Sequence, residues 1–164
     1  LFAPDRNLGA YLKSATGRNL VLWPGACTVH EVFAIEKIVE LRKKFPNALL
    51  IVHPESDALL IRMADFVGST SAMIRYVASS DHSEFIIATE VGILDQLREV
   101  AGNKLLIPAP SQEENACACS ECAFMKVNTL EKLRDALKFE IPEVVIDEDI
   151  RAEAEKSLIK MMNL

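Results

Sequence analysis

The stretch Ala48-Leu49-Leu50-Ile51-Val52-His53-Pro54-Glu55 decides the reading of the fold. Five apolar residues in a row, ending in two β-branched ones, read as a strand. Pro54 then fixes the backbone, so an imidazole and a carboxylate emerge at the strand's carboxyl end. Similar short apolar runs occur outward on both sides, at 1–3, 19–23, 66–67, 84–88, 104–107 and 143–146. Helical spacing fills the intervals: Val32, Ile35, Ile38 and Val39, then Met73, Ile74 and Val77, then Ile93, Leu94, Leu97 and Val100. Asn128, with Glu131 three residues on, fits a capping box ahead of Leu130, Leu133 and Leu137. Ile150, Ala154, Leu158 and Met161 share one face of a last helix. Strands alternating with helices imply an α/β fold, with parallel sheets covered by helices in αβα layers. Ligands in such folds gather at the carboxyl ends of strands, which directs attention to the loops after Trp23, Val52, Val67, Ala88 and Ile107. The stretch 108–116, with two prolines and several polar residues, reads as a surface linker.

The chain of 164 residues is half apolar and carries a formal net charge of −6. That length suits one ordinary domain or two small ones with a real core. Charged residues are interspersed and no Lys/Arg block occurs, which argues against disorder and against a nucleic-acid backbone as partner. No apolar run approaches the length of a bilayer span and no signal-peptide layout precedes Leu1, so the expectation is a soluble cytoplasmic protein. Leu1 opens directly into a strand-like run, and this leads us to expect a further N-terminal portion upstream.

Four groups of residues are equipped for chemistry. In Trp23-Pro24-Gly25-Ala26-Cys27, the Pro-Gly turn delivers a thiol to the sheet's carboxyl edge, where it suits either metal ligation or simple burial. The run Cys117-Ala118-Cys119-Ser120-Glu121-Cys122 is close enough for sulfurs to converge on zinc or iron. With Cys27 it allows a zinc site built from all four cysteines, and Cys119–Cys122 alone allows a redox-active disulfide; spacing ranks metal above disulfide and leaves the metal open. In His53-Pro54-Glu55 the carboxylate can serve as a base and the imidazole as a hydrogen-bond donor, the alternative being a capped loop with solvated side chains. Gly68-Ser69-Thr70-Ser71 precedes a helix whose free N–H groups suit a phosphate or carboxylate, ordinary N-capping by Ser69 or Thr70 being the competing reading. His30 opens a helix as a cap or solvent contact, His82 lies in a polar loop, and Thr89-Glu90 follows a strand either to line a site or to start a helix.

Taken in order, these groups resemble the quinolinate synthase family. The matching stretches begin with Phe2-Ala3-Pro4-Asp5, Asn7-Leu8-Gly9, Leu22-Trp23-Pro24-Gly25-Ala26-Cys27 and Val29-His30-Glu31. They continue with Val52-His53-Pro54-Glu55, 64–71 and Ala88-Thr89-Glu90-Val91-Gly92, and end with 119–126 and Asn128-Thr129-Leu130-Glu131. Each is modest, but their order and spacing cover essentially the whole chain.

The resemblance implies an enzyme that condenses iminoaspartate with dihydroxyacetone phosphate, losing phosphate and water to form quinolinate in NAD biosynthesis, with L-aspartate oxidase as the supplier of iminoaspartate. It implies a 4Fe–4S cluster held by three cysteines, one from each of three α/β domains around a pseudo-threefold axis. Cys27 and Cys122 would be two of these ligands, and the third would lie ahead of Leu1. On that pattern residues 1–27 are a remnant of the second domain, 28–115 form the third, and 116–164 carry the last cluster ligand and a segment returning to the first. Glu55 would shuttle protons, His53 would hydrogen-bond substrate, and Ser69 and Thr70 would hold its phosphate or carboxylate. Cys117 and Cys119 receive no catalytic role. The isolated chain is expected to be inactive. Two other readings compete, a zinc-stapled binding module using four cysteines and a truncated, non-catalytic relic.

Overall fold

A buried aspartate starts the first helix. Asp5 is the N-cap of α1 (Arg6–Thr16), its Oδ1 accepting from the Leu8 N–H at 2.8 Å, and Gly17 at φ 67° closes the helix. The runs 1–3 and 19–23, expected as strands, form instead one isolated parallel bridge, Phe2 with Leu22. The Phe2 N–H donates to Val21 O at 2.7 Å and the Trp23 N–H to Phe2 O at 2.9 Å. α1 packs tightly on this bridge: a Cβ on Gly9 would lie 2.6 Å from Leu22 Cδ2 and 2.8 Å from Phe2 Cδ1. Only glycine permits that approach.

The computed structural model describes residues 1–112 and 120–163, which fall into two compact units, Leu1–Cys122 and Ala123–Leu164. In the first unit, α1 is followed by α2 (Thr28–Glu31), α3 (Ile35–Lys44), β1 (Leu49–Val52), α4 (Ala58–Met63), β2 (Phe66–Val67), α5 (Thr70–Ser79), β3 (Glu84–Ala88), α6 (Ile93–Ala101) and β4 (Leu105–Pro108). The strands form one parallel sheet in the order β2-β1-β3-β4, in a register that sets Ile51 beside Phe66 and Ile87, and Ile86 beside Ile107.

Alternation along the strands gives the sheet two cores. Leu50, Val52, Ile86 and Ala88 face one side and pack with Ile38 of α3 and Leu60 of α4. Ile51, Phe85 and Ile87 face the other and pack with Met73 and Val77 of α5 and Leu97 of α6. Burying each large side chain contributes roughly 1.5–3 kcal/mol. The expected αβα layering is therefore present. Because β1 leads to β2 on one side while β3 and β4 lie on the other, the strand order reverses between β1 and β3. That is the topological switch point, where α/β sheets open a crevice beyond the carboxyl ends of their strands.

Several local expectations are corrected. Val32 belongs to the C-cap of α2 rather than to α3. The start of the supposed surface linker is built into the fold. Ala109 and Ser111 are buried, Ser111 forms an antiparallel bridge with Phe33, and the Ala34 N–H donates to Pro110 O at 3.0 Å. Apolar neighbours outweigh the Pro-rich composition there, and residues 113–116 lie outside the described residues.

The second unit contains α7 (Ala123–Lys126), α8 (Leu130–Phe139) and α9 (Glu148–Met162). Thr129, not Asn128, caps α8, its Oγ1 accepting from the Lys132 N–H at 3.2 Å. Residues 143–146 form no strand; Val144, Val145 and Ile146 are exposed, with no neighbouring strand to pair with among the described residues. Leu130, Leu133 and Leu137 of α8 and Ile150, Leu158 and Met161 of α9 are also exposed.

Candidate functional site

The crevice between β1 and β3 gathers polar side chains. β1 ends into His53, whose N–H donates to Ala88 O at 3.0 Å, tying the site loop to the neighbouring strand. β3 ends into Thr89, buried, whose Oγ1 lies 2.9 Å from His30 Nε2. His30 arrives from α2, whose N-cap is Cys27. Asp5 fixes that approach: one carboxylate oxygen caps α1 and the other accepts from the Cys27 N–H at 2.8 Å. Asn7 Nδ2 donates to Glu55 O at 3.0 Å, so α1 also braces the loop after β1.

Three donor atoms, from Cys27, His30 and Glu55, lie within 4.8 Å of one another. His30 Nδ1 is 3.2 Å from Glu55 Oε2, close enough to pair electrostatically. The contact is not aligned as a hydrogen bond, so the buried Nδ1 has no hydrogen-bond partner among the described residues. His53 Nδ1 is 3.8 Å from the same carboxylate oxygen and receives the Glu55 N–H at 3.4 Å. The two imidazoles stack, with centroids 4.6 Å apart. Arg6 pairs with Glu31 at the mouth of the turn.

Burial dominates the electrostatics. It lowers His30 to about 4, with His53 adding to the shift and Asp5 opposing it. It lowers His53 as well, again against Asp5. It raises the Glu55 carboxyl above the ordinary range, and here Asp5 acts in the same direction. A carboxyl held up and imidazoles held neutral are a combination suited to proton exchange near neutrality.

Cys122 reaches the same edge. Its N–H donates to Glu90 Oε1 at 3.3 Å while Glu90 Oε2 accepts from the Gly92 N–H at 2.7 Å, and the Val91 N–H donates to Ser120 O at 3.1 Å. A Cβ on Gly92 would stand 2.7 Å from Glu90 Oε2, so glycine lets the carboxylate fold back onto the backbone. Cys27 and Cys122 are both free thiols, half-buried; His30, three residues after Cys27, meets Thr89, and the Cys122 N–H meets the next residue, Glu90.

His53, Glu55 and Cys27 are thus brought together, and Cys122 joins them at the carboxyl edge. Ser69 and Thr70 sit at the end of β2 on the same edge, both exposed; Ser69 Oγ caps α5 by accepting from the Ala72 N–H at 3.3 Å. Cys117 and Cys119 lie outside the described residues. His30 and Asp5 lie in stretches that resemble the family, and the structure adds both to the site. His30, expected as a cap or a solvent contact, is buried against Thr89 and Glu55, and its position three residues after Cys27, on the same helical turn, was the available signal.

A parallel sheet with thiol, imidazole and carboxylate gathered at its switch point defines an α/β protein with a metal-competent polar site. The family model described as quinolinate synthetase A protein matches residues 1–163, and the chain belongs to that family. It is 49% identical to the quinolinate synthase of Trichormus variabilis and 49% identical to that of Nostoc punctiforme, over all of this chain and 50% of each relative. It is 44% identical to that of Chloroherpeton thalassium, over all of this chain and 51% of the relative. The chain spans about half the length of the curated relatives it matches. No helix among the described residues is long and apolar enough to cross a membrane.

Proposed function

We propose that the chain is the C-terminal half of a quinolinate synthase, an enzyme that condenses iminoaspartate with dihydroxyacetone phosphate to quinolinate with loss of phosphate and water. The observation that carries this reading is the convergence of Cys27, His30 and Glu55 at the switch point of a chain whose residues 1–163 match the family. The donor chemistry suits a 4Fe–4S cluster, since Cys27 and Cys122 are free thiols, the first beside His30 and Glu55 and the second in a segment whose backbone is held by Glu90. These two would hold it with a third cysteine from the N-terminal portion, in the first α/β domain of a pseudo-threefold assembly. A cluster bound by three thiolates supplies an iron free to act as a Lewis acid.

The chain's own residues handle protons and position substrate. Glu55, its proton affinity raised by burial, takes a proton from substrate and returns it. His53, kept neutral, hydrogen-bonds a substrate oxygen. Thr70 and the first N–H groups of α5 receive a phosphate or carboxylate, with Ser69 holding the turn. The net charge of −6 and the small polar crevice favour small-molecule substrates over nucleic acid. A cytoplasmic setting, with L-aspartate oxidase supplying iminoaspartate, follows from the same reading.

The test is anaerobic purification of the full-length protein. A brown protein with about four irons per complete active site is expected, and Cys27→Ser or Cys122→Ser should abolish it. A colourless protein, or a normal cluster in Cys27→Ser, would reject the assignment.

A further inference from the structure

We propose that Glu90 is a positioning residue for Cys122, holding the segment that carries this thiol at the end of β3 before any metal binds. That Cys122 is a ligand rests on the function proposed above; how it is held follows from this chain's own geometry.

A carboxylate at a helix start usually serves the helix alone. Glu90 serves two places at once. Its Oε2 accepts from the Gly92 N–H at 2.7 Å, where α6 begins, and its Oε1 accepts from the Cys122 N–H at 3.3 Å, 32 residues along the chain. The next residue joins the same clamp, the Val91 N–H donating to Ser120 O at 3.1 Å. Ser120 is buried, so the segment is seated in the fold two residues before the thiol. The turn that makes these contacts is itself closed, by the Ile93 N–H on Glu90 O at 3.3 Å and the Leu94 N–H on Val91 O at 3.0 Å. It continues a strand whose residues from Phe85 to Ala88 are all buried.

Gly92 is an independent sign. Its backbone, at φ −60° and ψ −19°, is one that any residue adopts, so the turn itself requires no glycine there. The three atoms nearest a Cβ at that position all belong to Glu90, the closest at 2.7 Å. What the missing side chain provides is room for the carboxylate.

Cys27 is held in the same manner. Asp5 puts one oxygen on the Leu8 N–H at the start of α1 and the other on the Cys27 N–H. Both half-buried thiols therefore sit on a backbone N–H given to a carboxylate that also braces a helix start. Ligands held in place in advance lose less conformational freedom when a metal group assembles on them.

Three variants of the full-length protein separate the roles of the two oxygens. Glu90→Asp keeps the charge and can still turn back on Gly92, but is one methylene short of Cys122. Glu90→Gln keeps the length and turns an NH2 toward one of the two N–H groups. Gly92→Ala leaves Glu90 intact and pushes its carboxylate out of its seat. In the metal-free protein each should speed alkylation of Cys122 about tenfold, as expected for one lost hydrogen bond to a charged acceptor, while Cys27 stays within about twofold. In the reconstituted protein the EPR g values of the reduced cluster should shift in Glu90→Asp, a signature that a role in α6 alone would leave unmoved. Cys122 reacting at its original rate in Glu90→Asp or Gly92→Ala would overturn the proposal, as would equal acceleration of both thiols or an unshifted cluster spectrum. A full-length protein without iron would reject the cluster reading alone, because the alkylation rates are read without metal and still decide the role of Glu90.

Discussion

The imidazoles of His30 and His53 lie face to face, with ring centroids 4.6 Å apart and planes 20° from parallel. Protonating both would set two cations in contact inside a crevice that hydrates them poorly, and each ring is held below its usual proton affinity. An unfolded histidine takes its proton near 6.5, whereas His30 in the fold waits until about 4. Between those values the unfolded chain binds more protons, so folding stability falls as pH drops through that window. Glu55 works in the opposite sense: its raised affinity lets the folded chain bind a proton more readily, which recovers part of the loss. A net loss on the order of 1–2 kcal/mol between pH 7 and 5 is expected in urea unfolding of the metal-free chain, smaller in His30→Gln. By NMR, the His30 ring should not titrate above about pH 5, and an ordinary titration near 6.5 would refute the burial account.

Asp5 uses both carboxylate oxygens on backbone N–H groups, those of Leu8 and Cys27. Asp5→Ala removes the α1 cap and leaves a Cys27 N–H unpaired, with an expected loss of roughly 1–3 kcal/mol in denaturant unfolding. Asp5→Asn is more selective. Its amide oxygen keeps the cap while its NH2 meets the Cys27 N–H, donor against donor, so α1 should survive while Cys27 alkylation accelerates.

Glu55→Gln preserves the shape of the loop and removes its proton carrier. In the full-length enzyme, on the function proposed above, iron content should stay normal while kcat falls by about 100-fold or more. Turnover within a few fold of the unmutated protein would remove Glu55 from the proton-transfer role.

Leu50 and Ile86 are fully buried on the same face of neighbouring strands. Ile86→Ala should destabilise the first unit by about 2–5 kcal/mol, measured by chemical unfolding. On the second unit, Leu137→Ala should cost well under about 1 kcal/mol, because Leu137 is exposed and no cavity is created.

The sheet was legible from sequence because 48–52 and 84–88 are short apolar runs whose pattern reflects burial on both faces, a property of the segment itself. The run 143–146 looked equally strand-like, yet a strand needs a neighbour, and Val144 and Val145 have none to pair with among the described residues. His53 and Glu55 were legible because they follow a strand directly. His30 was not, since its burial is created by Thr89 and Glu55, 59 and 25 residues away, and nothing local encodes that. The stretch 109–111 misled for a similar reason: its proline describes a turn, while its burial comes from Phe33 and Ala34. The capping box at Asn128 missed by one residue, because Thr129 offers the better-placed hydroxyl.

The crevice is stitched together from α2, the loop after β1 and the end of β3, segments that meet only once the sheet has been assembled. Anything gripping residues 27 and 55 at once therefore acts as a clasp across the folded unit, and in a denatured chain those donors drift apart. Occupancy should consequently register as a rise in melting temperature that scales with free ligand concentration, making the site its own thermometer of folding.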